Sequence, residues 1–276
     1  MNFLQAVNPG FNIGSLHIAW YGVLIATGML VAILFCWFFA KYRGVKSDTF
    51  VGVALYVIPL AIIGARLYYI AFSGRSWTFV EALQIWHGGM AIYGGVIGGA
   101  LGLLIYTLIH KKNFFDYGDI IVPGLILAQS IGRWGNFINQ EAFGWPVTNP
   151  AYQMFPFAVY IEHCVQEGCT CGGSGWHMAT FFYESFLNLI GFAVLVILLI
   201  YTKKRGTVVA GYFIWYGTVR AIVETFRTDA LFIGNSSLRV SQLLSIILVF
   251  VGLCILFYIY ILPIIKNKRN KKANNS

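Results

Sequence analysis

The feature that most constrains the fold of this chain is a series of long apolar runs separated by short polar connections. Only 11% of the 276 residues are charged and 58% are hydrophobic, whereas soluble domains carry about 25% charged residues. A helix needs roughly 20 apolar residues to cross a bilayer. The runs of about that length are Ile18–Ala40, Phe50–Phe72, Met90–Ile109, Ile120–Ile138, Phe181–Tyr201, Val208–Phe226 and Leu243–Ile265. They predict an all-α integral membrane protein with seven transmembrane helices in a single membrane domain, residues 1–276.

The positive charges predict which ends of these helices face the cytoplasm. The formal net charge is +9, and every Lys lies in a short cluster between or after the apolar runs. The clusters are Lys41–Lys46, Lys111–Lys112, Lys203–Arg205 and Lys266–Lys272. Because basic loops stay on the cytoplasmic side, the tail 266–276 is predicted to be cytoplasmic and the N-terminus outside. Segment 139–180 then becomes an outer loop over the outer helix ends.

Several other classes of protein do not fit this sequence. No positive charge precedes the first apolar run, so a cleaved signal peptide is not expected. Basic and aromatic residues do not alternate on a polar surface, so no nucleic acid partner is predicted. The sequence also contains no zinc-protease pair, nucleophile elbow or Walker loop. The closely spaced glycines of the third run, which predict tight helix packing, are Gly94, Gly95, Gly98, Gly99 and Gly102.

The cysteines fall into two groups. Cys36 and Cys254 lie inside apolar runs, where we expect them to pack as small apolar side chains. Cys164, Cys169 and Cys171 lie in the outer loop. In an oxidising exterior we expect a disulfide between Cys164 and one of the other two. A zinc site is the alternative, although the spacing matches no standard zinc pattern, and we predict neither a metal nor another cofactor.

Arginines inside the apolar runs are the clearest indication of a functional site. With a rise of about 1.5 Å per residue, Arg66, Arg133 and Arg220 lie about 24, 20 and 18 Å from the cytoplasmic ends of their runs. Tyr21 and Tyr93 belong to the same predicted layer in the outer half of the membrane. Ionisable residues at this depth are costly and usually functional, and guanidinium groups bind phosphate in a bidentate manner. The sequence therefore predicts a site for an anionic phospholipid.

The sixth apolar run carries a polar stripe. Its members, spaced four, four and three residues apart and so on one helical face, are Tyr216, Arg220, Glu224 and Arg227. A salt bridge between Arg220 and Glu224 that only stabilises the bundle is the simpler explanation. Because Asn136 and Glu141 lie at a similar predicted depth, we favour a functional site.

The run Gly132–Gly144 resembles the signature of the prolipoprotein diacylglyceryl transferases. It reads Gly-Arg-Trp-Gly-Asn-Phe-Ile-Asn-Gln-Glu-Ala-Phe-Gly. Further similar segments are Trp20–Gly22, Gly64–Arg66, His87–Gly95, Tyr183–Ser185, Tyr216–Arg227 and Ser241–Ser245. Members of this family are bacterial membrane enzymes that move diacylglycerol from phosphatidylglycerol onto a lipoprotein cysteine.

The resemblance implies a reaction and a set of site residues. The thiol of a prolipoprotein lipobox cysteine would attack the glyceryl carbon that bears the phosphate ester, forming a thioether and releasing glycerol phosphate. Arg133 and Arg220 would stabilise the departing phosphate. The residues implied in phosphatidylglycerol binding are Arg133, Asn136, Tyr21, Arg66, Gly144 and Tyr216. The implied partners are phosphatidylglycerol, prolipoprotein signal peptides and membrane lipid, and the implied location is the bacterial plasma membrane.

The identity of the general base stays open. Some relatives have a histidine where this chain has Tyr93, and a neutral tyrosine with a pKa of about 10 is a poor base at pH 7. Tyr93 is therefore expected to position a substrate. Glu141 or Glu224 could take the thiol proton, or the small thiolate fraction could suffice once phosphate departure is assisted.

Two other functions compete with the transferase. A transporter or flippase for an anionic lipid would also need arginines within the membrane. Against it, the chain has no evident internal repeat, and its polar residues cluster away from the midplane. The third candidate is a lipid-binding factor, which would bind phosphatidylglycerol without turnover.

Overall fold

The structure is a computed structural model that describes residues 9–14, 16–85, 88–162, 174–228 and 239–273. Helices account for most of it. They are α1 (Trp20–Phe39), α2 (Thr49–Phe72), α3 (Phe79–Leu83), α4 (Ile92–Ile109), α5 (Phe114–Ile138), α6 (Thr180–Tyr201), α7 (Thr207–Phe226), α8 (Val240–Leu256) and α9 (Leu262–Ala273). A π-helical turn, Phe257–Ile261, joins α8 to α9.

Two short antiparallel strand pairs add to the helices that the sequence predicted. Strand β1 (Gly10–Ile13) pairs with β2 (Leu16–Ala19), and β3 (Ala158–Ile161) pairs with β4 (Gly175–Met178). Each strand has four residues, which is at the lower limit at which an alternating pattern indicates a strand. The sequence predicted an outer loop where β3 and β4 lie. It placed Ile18 and Ala19 in the first apolar run, but they belong to β2, and the helix begins at Trp20.

The apolar helices support the prediction of an integral membrane protein. Within the described residues, six segments are long and apolar enough to cross a membrane. They are Trp20–Arg43, Thr49–Phe72, Ile92–Ile109, Phe114–Ile138, Thr180–Tyr201 and Val240–Asn267. Helix α7 is not among them because Arg220 and Glu224 lower its mean hydropathy. The seventh crossing and the orientation therefore stay predictions.

The chain divides into two compact units. One comprises Met1–Leu34 with Ile121–Ser276, and the other comprises Phe35–Ile120. We describe each unit by itself, and the single membrane domain stays a prediction.

In the unit Phe35–Ile120, glycines allow α2 and α4 to pack backbone to backbone. A Cβ atom at Gly98 would lie 2.1 Å from the carbonyl oxygen of Leu60, and one at Gly94 would lie 2.2 Å from that of Gly64. At Gly99 the nearest atoms would be 3.7 Å away. The predicted tight packing is therefore confirmed for one face of α4, whose glycines are Gly94, Gly98 and Gly102.

In the other unit, the segment between α5 and α6 folds onto a small apolar core. Its buried members are Phe143, Val159, Ile161, Ala179 and Phe181. His177 of β4 is also buried, and its Nδ1 lies 3.0 Å from the carbonyl oxygen of Gly144. This packing fixes the chain that leaves α5 against the start of α6, where the polar residues described next are found.

Candidate active site

A chain of ion pairs joins helices α5, α6 and α7. Oε1 of Glu184 lies 2.5 Å from Nη2 of Arg133, and its Oε2 lies 3.2 Å from Nη1 of Arg220. Nη2 of Arg220 then lies 2.7 Å from Oε2 of Glu224. Glu184 thus bridges two guanidinium groups on different helices, and the i, i+4 spacing of Arg220 and Glu224 on α7 extends the chain by one pair.

The carboxylates of the ion-pair chain are more deeply buried than its guanidinium groups. The side chains of Glu184 and Glu224 are 2% and 3% exposed, whereas those of Arg133 and Arg220 are 17% and 16% exposed. The carboxylates therefore lie beneath the guanidinium groups. Two positive and two negative charges cancel within this group. An entering anion would be bound through directed N–H donors more than through a net positive charge.

Hydrogen bonds also connect Arg133 to the segment that follows α5. Its Nη1 donates to Oδ1 of Asn136 at 3.3 Å, and Nδ2 of Asn136 donates to Oε1 of Glu141 at 3.0 Å. Asn139 donates a second, longer amide hydrogen bond to the same oxygen at 3.4 Å. The hydrogen bonds to the Glu141 carboxylate thus come from amides, whereas Glu184 and Glu224 are held by guanidinium groups.

The backbone around Glu141 is strained. Gln140 and Ala142 adopt left-handed backbone conformations with φ of 51° and 58°, which residues other than glycine rarely adopt. The N–H of Glu141 donates to the carbonyl of Asn136 at 2.9 Å, which closes the turn. Strain of this kind costs about 1–3 kcal/mol per residue and concentrates at functional sites, so the turn supports a functional role for Glu141.

Gly144 is a point of close approach between three segments. A Cβ atom there would lie 2.8 Å from Cβ of Met178, 2.9 Å from Cγ2 of Thr180 and 3.0 Å from the carbonyl oxygen of Phe226. Its N–H donates to the carbonyl of Met178 at 3.0 Å. Gly144 therefore has a packing role in this structure, and its predicted contact with lipid stays a prediction.

Two tyrosines from the predicted set lie in the same unit as the ion pairs. The ring of Tyr21 packs against Gly135, where an added Cβ would approach the ring to 2.4 Å. The Tyr21 phenol also interacts electrostatically with Glu141 and Arg133. Tyr216 stacks on Tyr212 with the ring centroids 5.5 Å apart. Tyr21 therefore interacts with Arg133, a member of the ion-pair chain.

The ends of α7 and α8 complete the surroundings of Arg220. Its Nη2 lies 3.5 Å from Oγ of Ser241. The guanidinium of Arg239 donates to the carbonyl oxygens of Glu224 and Arg227. Because the last carbonyls of a helix lack partners within it, Arg239 caps α7 and fixes the position from which Glu224 projects.

Comparison with known proteins assigns the chain to a family. The family model described as prolipoprotein diacylglyceryl transferase matches residues 9–258. The chain belongs to this family. It is therefore a transferase, and the match covers the whole ion-pair chain described above.

Relatives from three bacteria are similar over nearly the entire sequence, and each is named phosphatidylglycerol–prolipoprotein diacylglyceryl transferase. The protein from Listeria monocytogenes serotype 4b is 38% identical over 263 residues, covering 93% of this chain and 91% of its own length. The Streptococcus agalactiae serotype Ia protein is 39% identical, covering 91% and 96%. The protein from Clostridium botulinum strain Loch Maree is 41% identical, covering 92% and 96%.

Arg66 and Tyr93 of this transferase lie in the other unit. A guanidinium has five N–H groups, and those of Arg66 donate five hydrogen bonds to backbone carbonyls. The acceptors, at 2.6 to 3.3 Å, belong to Glu81, Ala82, Gln84, Gly88 and Gly89. A phosphate contact by Arg66 would require some of these bonds to open, so it stays a prediction. The Tyr93 ring lies beside Tyr68, with centroids 6.2 Å apart.

Sequence reasoning missed the central residue of the site. Glu184 appeared only as part of the similar segment Tyr183–Ser185 and was given no role. A signal was available, because two arginines within apolar helices require buried carboxylate partners, and Glu184 is the only acid in the fifth apolar run. The expected disulfide or zinc site at Cys164, Cys169 and Cys171 lies outside the described residues.

Proposed function

We propose that this transferase moves the diacylglyceryl group of phosphatidylglycerol to the lipobox cysteine thiol of prolipoproteins. The relatives carry both substrates in their names. The observation in this chain that carries the proposal is the pair of arginines held by Glu184. Two guanidinium groups with partly exposed forks suit a phosphodiester, whose phosphate leaves together with the glycerol headgroup in this reaction.

The proposed step is a displacement at carbon. The cysteine sulfur forms a bond to the glyceryl carbon that bears the phosphate ester. The bond between that carbon and the phosphate oxygen breaks, and its electron pair stays with the oxygen. The products are a thioether and glycerol phosphate. The thiol proton passes to a base and then to the phosphate or to water, so that the base is regenerated.

Arg133 and Arg220 are proposed to stabilise the phosphate as negative charge develops on it. Preorganised donors of this kind each contribute about 10²- to 10³-fold to the rate in other enzymes. Glu184 holds both guanidinium groups from below, which limits their reorientation when the substrate binds. Asn136, Tyr21 and Tyr216 are proposed to contact the rest of the headgroup, as predicted from the sequence.

Glu141 is our proposed base for the thiol. Glu224 is the alternative, but it is paired with Arg220 at 2.7 Å. Glu141 accepts hydrogen bonds from the amides of Asn136 and Asn139, which leave its lone pairs less committed to a positive charge. Tyr93 is proposed to position a substrate.

The membrane placement follows from the same proposal. We place α7 across the bilayer as the seventh span, because its length of 20 residues suffices for the hydrocarbon core and its charged residues are paired. With the basic loops in the cytoplasm, the ion-pair chain falls in the outer half of the bacterial plasma membrane, where secreted prolipoproteins present their lipobox.

A reaction with purified components tests the proposal. The protein in detergent is incubated with phosphatidylglycerol and a lipobox peptide that contains a free cysteine, and the peptide is analysed by mass spectrometry. The expected result is a mass gain of one diacylglyceryl group, absent when the cysteine is replaced by serine. Arg133→Ala and Arg220→Ala should each lower the rate by at least about 100-fold.

The matched control for these variants is Arg75→Ala. Arg75 is 58% exposed and pairs with Glu81, away from the ion-pair chain along the sequence, and its replacement should leave the rate unchanged. A folded wild-type protein that binds phosphatidylglycerol without modifying the peptide would refute the transferase assignment. Normal activity of Arg133→Ala or Arg220→Ala would refute the proposed role of that arginine in stabilising the phosphate.

A further inference from the structure

An apolar groove lies along the second half of α8 and the π-helical turn after it. Its volume is about 680 Å³, and its lining includes Phe250, Leu253, Phe257 and Ile261. Phe250 and Phe257 are 65% and 48% exposed. The groove begins nine residues after Ser241, or about 13 Å further along the helix at 1.5 Å per residue, so it is separate from the ion-pair chain.

One end of the groove carries a positive charge that is fixed in place. Nζ of Lys204, from the connection between α6 and α7, donates to the carbonyl oxygen of Ile259 at 3.3 Å. The same ammonium lies 4.0 Å from the centroid of the Tyr260 ring, and Tyr260 lines the groove. The Tyr260 hydroxyl is in turn 3.2 Å from Oγ1 of Thr207. These contacts hold Lys204 at the rim of the groove.

The helix is irregular at this point. Residues Phe257–Ile261 form a π-helical turn, and such turns are rare and frequent at functional sites. Pro263 lacks the N–H that would bond to the carbonyl of Ile259 four residues earlier, and that carbonyl accepts a hydrogen bond from the Lys204 ammonium instead. The irregularity and the cation therefore occur together at the end of the groove.

We propose that this groove binds an anionic phospholipid, with an acyl chain along α8 and the phosphate at Lys204. An ammonium has three N–H donors, and the Ile259 carbonyl accepts one. The distance from Phe250 to Ile261 is about 17 Å at 1.5 Å per residue, close to half of the roughly 30 Å hydrocarbon core. Lys203 and Arg205 are exposed beside Lys204 and add positive charge. On the orientation given under the proposed function, the lipid belongs to the cytoplasmic leaflet.

A second copy of this chain is a poorer occupant of the groove. A two-fold interface brings the same surface patch of both copies together, which would place Lys203, Lys204 and Arg205 of one copy near those of the other. Like charges in a partly apolar setting repel each other. An anionic headgroup satisfies the same cations, and an acyl chain covers the same apolar side chains.

Native mass spectrometry of the detergent-purified full chain tests this site. Dioleoyl phosphatidylserine and dioleoyl phosphatidylcholine are titrated separately, since neither is the proposed substrate. We expect tighter binding of phosphatidylserine and a decrease of about fivefold in its affinity in Lys204→Gln, the effect of one cation near a phosphate. The control Lys112→Gln removes the same charge from another exposed connection and should change nothing.

A second variant tests the apolar part of the groove. Leu253→Trp fills the space beside the lining side chains and should weaken phosphatidylserine binding while Lys204 is retained. The proposal is overturned if Lys204→Gln binds both lipids as the wild type does, if Leu253→Trp has no effect, or if the principal species is a dimer without lipid. Transferase activity is measured on the same samples. Lipid binding at Lys204 without transfer would count against the proposed function and leave the groove site standing.

Discussion

Oε1 of Glu184 lies 2.5 Å from Nη2 of Arg133, and the two residues come from different helices. The other oxygen of this carboxylate binds Arg220. One buried acid therefore determines where two guanidinium groups stand relative to each other. For a reaction in which a phosphate leaves, that spacing decides whether both arginines can reach it at the same time.

Replacing Glu184 by Gln should lower the transfer rate at least about 100-fold, which is the scale of losing one preorganised donor. The amide has nearly the same size but leaves Arg133 and Arg220 without their shared negative partner. Breaking a buried pair also costs about 3–5 kcal/mol, so thermal unfolding in detergent is measured beside the rate.

Glu184→Asp should recover part of the rate, whereas Glu81→Gln, a change at a 41% exposed carboxylate, should leave it intact. If Glu184→Gln melts earlier but turns over at the normal rate, the residue stabilises the fold without positioning the arginines.

Gly135→Ala should reduce activity about tenfold or more through Tyr21. The added methyl would lie 2.4 Å from the Tyr21 ring, so the ring must shift relative to Arg133 and Glu141. A shift of about 1 Å in a positioned group can cost 10²-fold in rate. Transfer assays on both proteins measure the effect. Gly132→Ala in the same helix is the control, because its nearest neighbour is Cδ1 of Ile25 at 3.4 Å; equal effects of the two variants would exclude a role for Tyr21 placement.

Gly98→Ala should destabilise the unit Phe35–Ile120 by about 1–3 kcal/mol, the usual cost of forcing a methyl group into a packed interface. The new Cβ would meet the carbonyl oxygen of Leu60 at 2.1 Å, and a backbone atom cannot turn aside as a side chain does. Thermal melting in detergent measures the change. Gly99→Ala, with its nearest atoms at 3.7 Å, should melt as the wild type does, and a matching loss in Gly99→Ala would argue against the steric explanation.

Tyr93→Phe should retain much more activity than Arg133→Ala. The variant removes only the hydroxyl, and we expect that hydroxyl to position a substrate and not to accept the thiol proton. Rates for both variants are measured with the same peptide and lipid. Complete loss in Tyr93→Phe would show that the phenol takes part in the chemistry, and Glu141 would then lose its assignment as the base.

Thr78 and Glu81 exchange side-chain and backbone hydrogen bonds that cap the start of α3, and this capping box should weaken in acid. The backbone N–H and hydroxyl of Thr78, together with Arg75, hold the pKa of the Glu81 carboxyl below its ordinary value of 4.5. Since the folded value is the lower one, the contribution of Glu81 is complete above pH 4.5 and is lost as the pH falls through the folded value. Hydrogen exchange of residues 74–85 should show protection in the wild type that decreases toward that of Glu81→Gln as the pH is lowered. A difference between the two proteins that persists unchanged at pH 3 would contradict this.

The sequence predicted the helical membrane architecture because the length of each apolar run can be counted directly along the chain. The short pairs β1–β2 and β3–β4 were not predicted, since four residues carry too little alternation. Helix α5 begins at Phe114, six residues before the predicted apolar run, because a transmembrane helix can extend beyond the hydrocarbon core, where its residues need not be apolar.

The candidate site was predictable in part. The stripe on α7 and the signature around Arg133 contain most residues of the ion-pair chain. The pair of Arg220 with Glu224, which the sequence raised as the simpler explanation of the stripe, is present at 2.7 Å. Glu184 was missed because its importance arises from partners on two other helices. The environment of Arg66 was also not predictable, since its acceptors are backbone carbonyls, which no pattern of side chains encodes.

The five carbonyls around Arg66 have a consequence for the assembly of the membrane domain. Until the peptide between α2 and α4 is in place, the guanidinium of Arg66 in α2 lacks these acceptors, and an arginine without partners inside a membrane is costly. Once that peptide has folded back, the polypeptide itself supplies the solvation shell of the ion. The connection thus replaces the water that Arg66 gives up, so the preceding helix and the connection after it must be placed in the membrane together.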